Sequence, residues 1–486
     1  MGTGDTDPRR EGGYRCRVSF RHDRALATTP TPIPGLVLID LPVPGDDRGW
    51  FKENWQREKL LGLGLPDLGP VQNNVSFNDE VGTTRGIHAE PWDKYVSVAA
   101  GRIFGAWVDL RKGPTFGAVF TAELDPSRAI LVPRGVGNSY QTLEPDTAYT
   151  YLVNDHWSPD AAYTFLNLAD ETAGIRWPIP LDGVTISAKD RAHPRLVDVT
   201  PMPPRRTLVL GANGQLGRAL RSTLTDAEFT TRADFDVADP ASWSSRRWRD
   251  YGTIVNAAAY TAVDLAESPE GRRAAWAANV DAVSAMARVA TANGIVLVHV
   301  SSDYVFDGAV EQHREDEPLS PLGVYGQTKA AGDAIVATVP QHYIVRSSWV
   351  IGKGGNFVRT MASLAARGVD PTVVDDQLGR LTFADDIARG IAHLLATAAA
   401  PGTYNLTSAG EVVSWARIAQ EVFRLTGHDP ARVSPTSTDE FFAGKAAAPR
   451  PHHSALDLGR ITASGFVPTD QWAGLRAYLK APAAAG

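Results

Sequence analysis

Two patterns of apolar and polar positions divide the chain. From about Ile33 to Val199, short runs such as KYVSVAAGRIFGAWVDL (94–110) and AYTYLV (148–153) are separated by Gly, Pro and Asp turns. Short β-rich runs bounded by turn residues read as strands, and no long amphipathic helix interrupts them. Residues 31–198 are therefore expected to form an all-β domain, an antiparallel jelly roll. After residue 206 the pattern changes. TLVLGANGQLGRALRSTL (207–224) reads as strand, glycine turn and helix. Continuous apolar runs such as GIVLVHVSSDYVF (294–306) then alternate with Ala-rich helical stretches such as RRAAWAANVDAVSAMARVATANG (272–294). Buried strands alternating with helices predict an α/β domain over 206–486, a doubly wound parallel sheet of Rossmann type.

The segments outside these blocks lack periodicity. Residues 1–30 are polar and rich in Gly, Thr and Arg, and are expected to be a disordered leader. Between the blocks, Pro201, Pro203 and Pro204 fall within residues 199–205 and predict a stiff, extended linker.

Composition narrows the function. The 486 residues suffice for two or three domains, with 43% hydrophobic and 21% charged residues. The 48 Lys and Arg against 55 Asp and Glu give a formal charge of −7, which argues against a nucleic-acid partner. Cys16 is the only cysteine, so an intrachain disulfide and a Cys-based metal cluster are excluded; a reducing cytoplasm suits this usage. No run of apolar residues is long enough to span a membrane, and the N-terminal stretch has no signal-like apolar region. No His/Asp/Glu cluster has convincing metal-ligand spacing, so no metal is expected.

In the second block, Gly211, Gly214 and Gly217 follow a strand and open a helix, as a turn that brings backbone against a pyrophosphate requires. The second strand, AEFTT (227–231), is followed by Arg232 rather than an acidic residue. An arginine there suits a 2′-phosphate, so NADPH is the expected cofactor, with NADH the alternative. Tyr325 and Lys329 stand four apart and share one helix face. A nearby ammonium is expected to lower the phenol pKa for a proton donor. Ser302 lies just upstream, after a strand.

In the first block, Arg48, Arg85 and Lys94 are cations in an otherwise acidic chain, as a diphosphate ligand requires. His88 is a candidate base, Asp190 its orienting carboxylate and Tyr151 an acid.

The second block resembles the extended short-chain dehydrogenase/reductases, and within them the dTDP-4-dehydrorhamnose reductases. The resemblance rests on GANGQLG (211–217), NAAAYTAVDLAE (256–267), SSDYVFDG (301–308), VYGQTKAAGD (324–333), VRSSWV (345–350), DDQLGR (375–380) and RPHHSALD (450–457). It implies a catalytic Ser302, Tyr325 and Lys329. Gly211, Asn213, Gly214, Gln215, Leu216, Gly217, Arg232, Asp236, Ala257, Ala258 and Tyr260 are assigned to the cofactor, together with Tyr325 and Lys329. Asp303, Tyr304 and Trp349 would line the sugar site, and Arg450 and Ser454 the nucleotide end. The chain departs from that family's pattern at Ser302, where threonine is usual, and at Arg380-Leu381-Thr382.

The first block resembles the dTDP-4-dehydrorhamnose 3,5-epimerases, a cupin-like jelly-roll family. Its carriers are DDRGWFKE (46–53), VQNNVS (71–76), RGIH (85–88), DLRKGPTFG (109–117), IRWPI (175–179) and ISAKD (186–190). By this resemblance His88 and Asp190 are the base dyad, Lys94 stabilises an enolate and Tyr151 is the general acid, with no cofactor. Arg48, Glu53, Gln72, Asn74 and Arg85 would contact a nucleotide sugar. Asn138 is also assigned to the substrate; it replaces a histidine usual in that family. A homodimer through this domain is implied as well. Together the two resemblances imply a bifunctional enzyme of dTDP-L-rhamnose synthesis. The alternatives are the same chemistry on another dTDP-4-keto-6-deoxyhexose, or a reductase-like module without turnover.

Overall fold

The turn-bounded runs of the first block become two antiparallel sheets. The structure is a computed structural model and describes residues 24–159 and 161–481. The chain divides into two compact units, Met1–Pro204 and Arg205–Gly486. In the first unit the strands are β1 (Ala27–Pro30), β2 (Val37–Asp40), β3 (Gly45–Asp46), β4 (Gly49–Trp50), β5 (Gln72–Asn78), β6 (Thr84–Ala89), β7 (Lys94–Ala100), β8 (Ile103–Asp109), β9 (Val119–Leu124), β10 (Arg128–Val132), β11 (Val136–Thr142), β12 (Thr147–Val153) and β13 (Thr164–Phe165). One sheet has the order β1-β2-β10-β7-β12-β5 and the other β13-β6-β11-β8-β9. Val96 and Val98 of β7 and Ile130 of β10 pack with Ile103 and Trp107 of β8. These are inward positions of two sheets closing on one apolar core.

Two boundaries differ from the sequence reading. Of the expected leader, residues 1–23, Cys16 among them, lie outside the described residues, but Ala27–Pro30 pairs in register with Val37–Asp40 as an edge strand. Its mostly exposed side chains hide it from a hydrophobicity pattern. The proline-rich segment is not a free spacer over its whole length. Met202 is buried in the first unit's core, its N–H donates to the Leu110 carbonyl (2.8 Å), and its own carbonyl accepts from the Lys112 N–H (2.9 Å). Arg134 donates to the Pro203 carbonyl (2.8 Å). Arg205 already donates to the Arg249 carbonyl of the second unit (3.0 Å).

In the second unit the strands are β14 (Arg206–Leu210), β15 (Glu228–Thr230), β16 (Tyr251–Asn256), β17 (Val296–Ser302), β18 (His342–Ser347), β19 (Val350–Ile351), β20 (Thr372–Val374), β21 (Leu378–Gly379), β22 (Thr382–Phe383), β23 (Gly402–Asn405), β24 (Val413–Ser414) and β25 (Ser434–Thr436). The order β15-β14-β16-β17-β18-β23 forms one sheet with every pair parallel. Val209, Val255, Val298 and Val345 pack into one apolar layer with helices Gln215–Leu220 and Ala384–Ala396. Leu208, Leu210, Ile254, Leu297 and Ile344 pack into another with helix Ala282–Asn293. Both faces are covered, which is why these strands read as continuous apolar runs. The sheet extends from β14 in both directions, and this switch point opens a crevice at the strand ends.

Candidate active sites

In the first unit, β6 supplies His88 and the short helix Ala188–Arg191 supplies Asp190. Ser187 caps that helix by accepting from the Asp190 N–H (3.0 Å). His88 Nε2 lies 2.9 Å from Asp190 Oδ1, and the Gly86 N–H donates to Oδ2 (3.3 Å). Burial pushes the Asp190 carboxyl up, but the hydrogen bonds from His88 and Gly86 and the nearby imidazoles outweigh it, and the group lies below the ordinary carboxylate range. A Cβ at Gly86 would lie 2.4 Å from that of Ser139, so only glycine lets β6 pass this close to β11. The β6–β11 register shifts between the pairs Asn138–His88 and Tyr140–Arg85. Such an irregularity re-aims side chains that a strict period of two would fix.

The other sheet brings Lys94 and Tyr151 together on adjacent strands β7 and β12. The Lys94 ammonium lies 5.2 Å from the Tyr151 ring centre and also pairs with Glu90. Burial pushes Lys94 down to about 7. Burial also raises the Tyr151 phenol, partly offset by the Arg85 charge. The two sheets are tied here by Tyr140 of β11, whose hydroxyl donates to Ser76 of β5 (3.0 Å). Arg85 donates to Asn78 Oδ1 (3.2 Å), Gln72 donates to Asn74 (2.8 Å), and Asn74 stands opposite Tyr151 in register. Asn138 is buried, accepting from Trp107 Nε1 (2.9 Å) and donating to the Tyr149 hydroxyl (3.0 Å). Arg48 is exposed and pairs with Asp46, while Glu53 pairs with Lys59 and lines a separate cavity with Phe51, Trp55 and Tyr95. The structure does not bring these two to the dyad.

Sequence reasoning missed His193. It is buried, its Nε2 lies 3.8 Å from Asp190 Oδ1, and its ring stacks on Phe165 with centres 4.7 Å apart. The lack of metal-ligand spacing along the sequence does not carry over to the fold: His88, Asp190 and His193 present ligand atoms within 4.8 Å of one another. Spacing hid this because the segment carrying Asp190 and His193 reaches β6 only in the folded chain.

In the second unit the glycine turn leaves β14. Gly211 has φ +82°, and a Cβ there would lie 2.7 Å from the Ala257 backbone; a Cβ at Gly217 would lie 2.2 Å from the Gly211 carbonyl oxygen. These glycines hold the turn closed against the end of β16 and against its own helix. Gly211, Asn213, Gly214, Arg232, Asp236, Ala257, Ala258 and Tyr260 line a cavity of about 470 Å³. Arg232 is exposed and bonded to Asp236 (3.1 Å). Leu216 and Gly217 are buried in the helix that follows. Gln215 accepts from the Gly352 N–H (2.7 Å), tying the turn to a distant loop. The buried Tyr260 hydroxyl has no partner among the described residues.

A second cavity, of about 690 Å³, shares Asn213, Gly214, Ala257 and Ala258 with the first, so the two are ends of one groove. Its lining includes Ser302 at the end of β17, Asp303, Tyr304, Trp349, and Tyr325 and Lys329 from helix Val324–Val336. Burial pushes Tyr325 up to about 12, opposed by the nearby Ser302 hydroxyl. This corrects the expectation of a phenol lowered by Lys329. The lysine is turned to the Val300 carbonyl (2.7 Å) and His299 (3.3 Å), and burial pushes it down to about 8 against the Asp333 charge. Burial raises Asp303 to about 6 despite the Ser454 and Ser302 hydroxyls. Trp349 adopts φ +45° and stacks on Trp415 with ring centres 3.9 Å apart. Trp415 and Asp264 were missed by sequence reasoning; Asp264 takes a two-pronged hydrogen bond from Arg450 (2.8 and 2.9 Å). Arg380, the departure noted above, is pinned to the Gly410 and Leu456 carbonyls (2.9 and 3.2 Å).

Comparison with known proteins agrees with this division. A family described as dTDP-4-dehydrorhamnose 3,5-epimerase matches residues 30–198, and one described as RmlD substrate binding domain matches residues 205–483. The "Protein RmlC homolog" of Streptococcus pyogenes is 51% identical over 180 residues, 36% of this chain and 90% of that protein. A dTDP-4-dehydrorhamnose reductase of Streptomyces griseus is 41% identical over 287 residues, 56% of this chain and 92% of its own. The crystal structure of dTDP-4-dehydrorhamnose reductase from Bacillus anthracis in complex with NADP superposes with a TM-score of 0.52 at 32% identity, covering 57% of this chain and 98% of that one. With two unlike folds, each carrying its own cluster of titratable groups and each matched over nearly the whole length of a separate relative, the chain belongs to both families as a fusion, an epimerase-family unit followed by a member of the RmlD family.

Proposed function

We propose that the chain catalyses two consecutive steps: 3,5-epimerisation of dTDP-4-keto-6-deoxyglucose, then NADPH-dependent reduction of the C4 ketone to dTDP-L-rhamnose. The observation that carries this reading is a cluster of titratable side chains on each of two unlike folds. One fold carries the His88–Asp190 pair at one sheet and the Lys94–Tyr151 pair on the other; the second fold holds Ser302 with Tyr325 and Lys329 in a glycine-walled groove.

In the first site the C4 ketone acidifies the protons on C3 and C5. His88 Nε2 is held by the Asp190 carboxylate, which leaves Nδ1 to take the proton. Asp190, kept ionised, stabilises the imidazolium that forms. Lys94, protonated below about 7, steadies the developing enolate oxygen. Tyr151, whose phenol is raised and therefore neutral, returns a proton from the opposite side.

The groove of the second unit fits a dinucleotide. The glycine turn leaves no room for side chains against its own backbone, and the buried Tyr260 hydroxyl leaves a polar partner to be supplied. Gly211, Asn213, Gly214 and Ala257 would hold the phosphates, and Arg232 the 2′-phosphate. When bound, NADPH supplies the hydride. Tyr325, held neutral by burial, gives its proton to the C4 oxygen, the Ser302 hydroxyl orients that oxygen, and Lys329 recharges the phenol.

The proposal extends to a homodimer working in the cytoplasm. Among the described residues no helix is long and apolar enough to cross a membrane. A solution mass near that of a single chain would overturn the dimer. A second reading, epimerisation at one centre only, is favoured by Asn138, whose amide is engaged with Trp107 and Tyr149 and cannot titrate. Incubation with dTDP-4-keto-6-deoxyglucose and NADPH, with the sugar product identified by NMR, separates the two. L-rhamnose supports the first reading, a singly epimerised 6-deoxyhexose the second, and an unchanged ketone defeats both.

A further inference from the structure

The His88–Asp190 pair has a third neighbour that the proposed epimerisation does not use. His193 is more than nine-tenths buried, and among the described residues neither of its ring nitrogens has a hydrogen-bond partner. Burial and the charge of His88 push the His193 imidazole below the ordinary range, against the Asp190 carboxylate and the Leu166 backbone, whose approach falls short of hydrogen-bond geometry. Leaving both nitrogens of an imidazole unsatisfied in a protein interior is costly, and it calls for a ligand or ion that fills the gap. His193 is not loosely placed. Its ring stacks on Phe165 at 4.7 Å and meets the His88 ring edge-on at 5.3 Å.

The three side chains converge. His88 Nε2 lies 2.9 Å and His193 Nε2 3.8 Å from the same oxygen, Asp190 Oδ1, and the ligand atoms of all three lie within 4.8 Å of one another. Zinc binds imidazole nitrogen and carboxylate oxygen at about 2.0–2.2 Å in tetrahedral sites, which places ligand atoms about 3.3–3.6 Å apart. The observed separations bracket that range. Two imidazoles and one carboxylate also select a divalent transition ion over calcium or magnesium, which prefer all-oxygen sites. The His88 side chain is one-third exposed, so the fourth position opens to water.

We propose that His88, Asp190 and His193 form a site for a divalent transition-metal ion of the zinc type, and that its occupation shuts off the epimerase by taking the proton-accepting dyad as ligands. The binding half of this proposal stands on geometry alone; the inhibitory half rests on the reading of His88 and Asp190 as the base. In the occupied state the metal takes the Nε2 lone pair of His88 and an oxygen of the Asp190 carboxylate, and the ring proton that His88 carried on Nε2 moves to Nδ1, so the imidazole stays neutral, Nδ1 can no longer accept a proton, and no redox step and no co-reactant are involved. The site would make the first step of a two-step enzyme answerable to free metal while leaving the second untouched.

The test uses the full chain, stripped with a chelator. Equilibrium dialysis against Zn²⁺ should find one ion per chain in the unsubstituted protein that is missing from His193→Ala and from His193→Gln. Co²⁺ should give the intense visible absorption of a four-coordinate nitrogen–oxygen site. In the absence of metal, His193→Ala should exchange solvent deuterium into the substrate within about twofold of the unsubstituted rate. Zn²⁺ should slow that exchange at least tenfold in the unsubstituted protein and not in the variant, with NADPH oxidation on pre-epimerised substrate unchanged in both. Equal zinc stoichiometry in unsubstituted and variant chains would overturn the site, as would the faint spectrum of six-coordinate aqueous Co²⁺, which needs no variant to fold. Zinc inhibition that persists in the variants would overturn the switch. A metal-free unsubstituted chain that exchanges no deuterium would instead defeat the epimerase reading, while the dialysis result would still decide the metal site.

Discussion

In the first unit Lys94 and Tyr151 stand on adjacent strands of one sheet and His88 on the other, with Asp190 arriving on a helix turn more than a hundred positions after His88. In the second, Ser302, Tyr325 and Lys329 come from the end of one strand and the helix that follows it. Both sites bury a lysine beside a tyrosine, yet they surround it differently. Lys94 meets the Glu90 carboxylate and the face of the Tyr151 ring. Lys329 meets the neutral Val300 carbonyl, with Asp333 further off supporting its charge. Burial lowers both, to about 7 and about 8. The two-sheet fold sets its lysine across a strand pair from the tyrosine; the helix sets its lysine one turn along from one. Under the proposed mechanism the first placement acts on developing charge, and the second returns a proton to the phenol.

The comparison breaks most sharply at the two proposed proton-transfer residues. Tyr325→Phe should lower NADPH oxidation by roughly 10²–10⁴-fold while leaving deuterium exchange intact. His88→Ala should do the reverse, slowing exchange by a similar factor while reduction of pre-epimerised ketone survives. Parallel loss of both activities in either variant, measured on the same preparation, would show that the sites do not act separately.

Gly217→Ala comes next. Its Cβ would meet the Gly211 carbonyl oxygen at 2.2 Å, an approach to which the backbone must yield. NADPH affinity by fluorescence titration should fall by roughly tenfold, about 1.4 kcal/mol, with exchange unaffected. Unchanged NADPH binding would mean that the glycine turn does not hold the dinucleotide.

The pH dependence sharpens the contrast between the lysines. An ammonium is lost as pH rises through its pKa, so exchange should decline above about 7, by up to roughly tenfold per unit, and reduction should hold until about 8. Lys94→Arg should remove the first limb and leave the second in place. Coincident limbs in the two rate profiles would argue that neither lysine sets them.

The smallest effect concerns the cofactor's 2′-phosphate. Arg232 is largely exposed and shared with Asp236, so its contact is weakened by water and by its partner. Arg232→Ala should raise the KM for NADPH roughly fivefold, within the range of a solvent-exposed ion pair, and leave that for NADH unchanged. Equal changes for both would remove Arg232 from phosphate recognition.

Much of this was legible in the order of residues. The continuous apolar strands of the second unit follow from how its sheet is covered, since helices on both faces bury successive residues, while the first unit's strands were marked by the Gly, Pro and Asp turns between them. The GANGQLG turn and the Tyr325–Lys329 pair are local features, and local spacing is what a sequence displays. The direction of the Tyr325 shift was not local. Helical spacing puts Lys329 on the same face, but burial and the pull of the Val300 carbonyl, both set by packing against β17, decide the outcome.

The sequence alone determined the two fold classes, the glycine turn and the Tyr325–Lys329 spacing, because hydrophobic period and short-range spacing are properties of neighbours along the chain. Only the tertiary structure decided that Met202 docks on the first unit, that Asn138 is held by Trp107 and Tyr149, and that His193 closes on His88 and Asp190. Those contacts join residues far apart in the chain or on separate elements. Their geometry is set by strand register, by the irregular pairing beside Gly86 and by the closing of two sheets on one core.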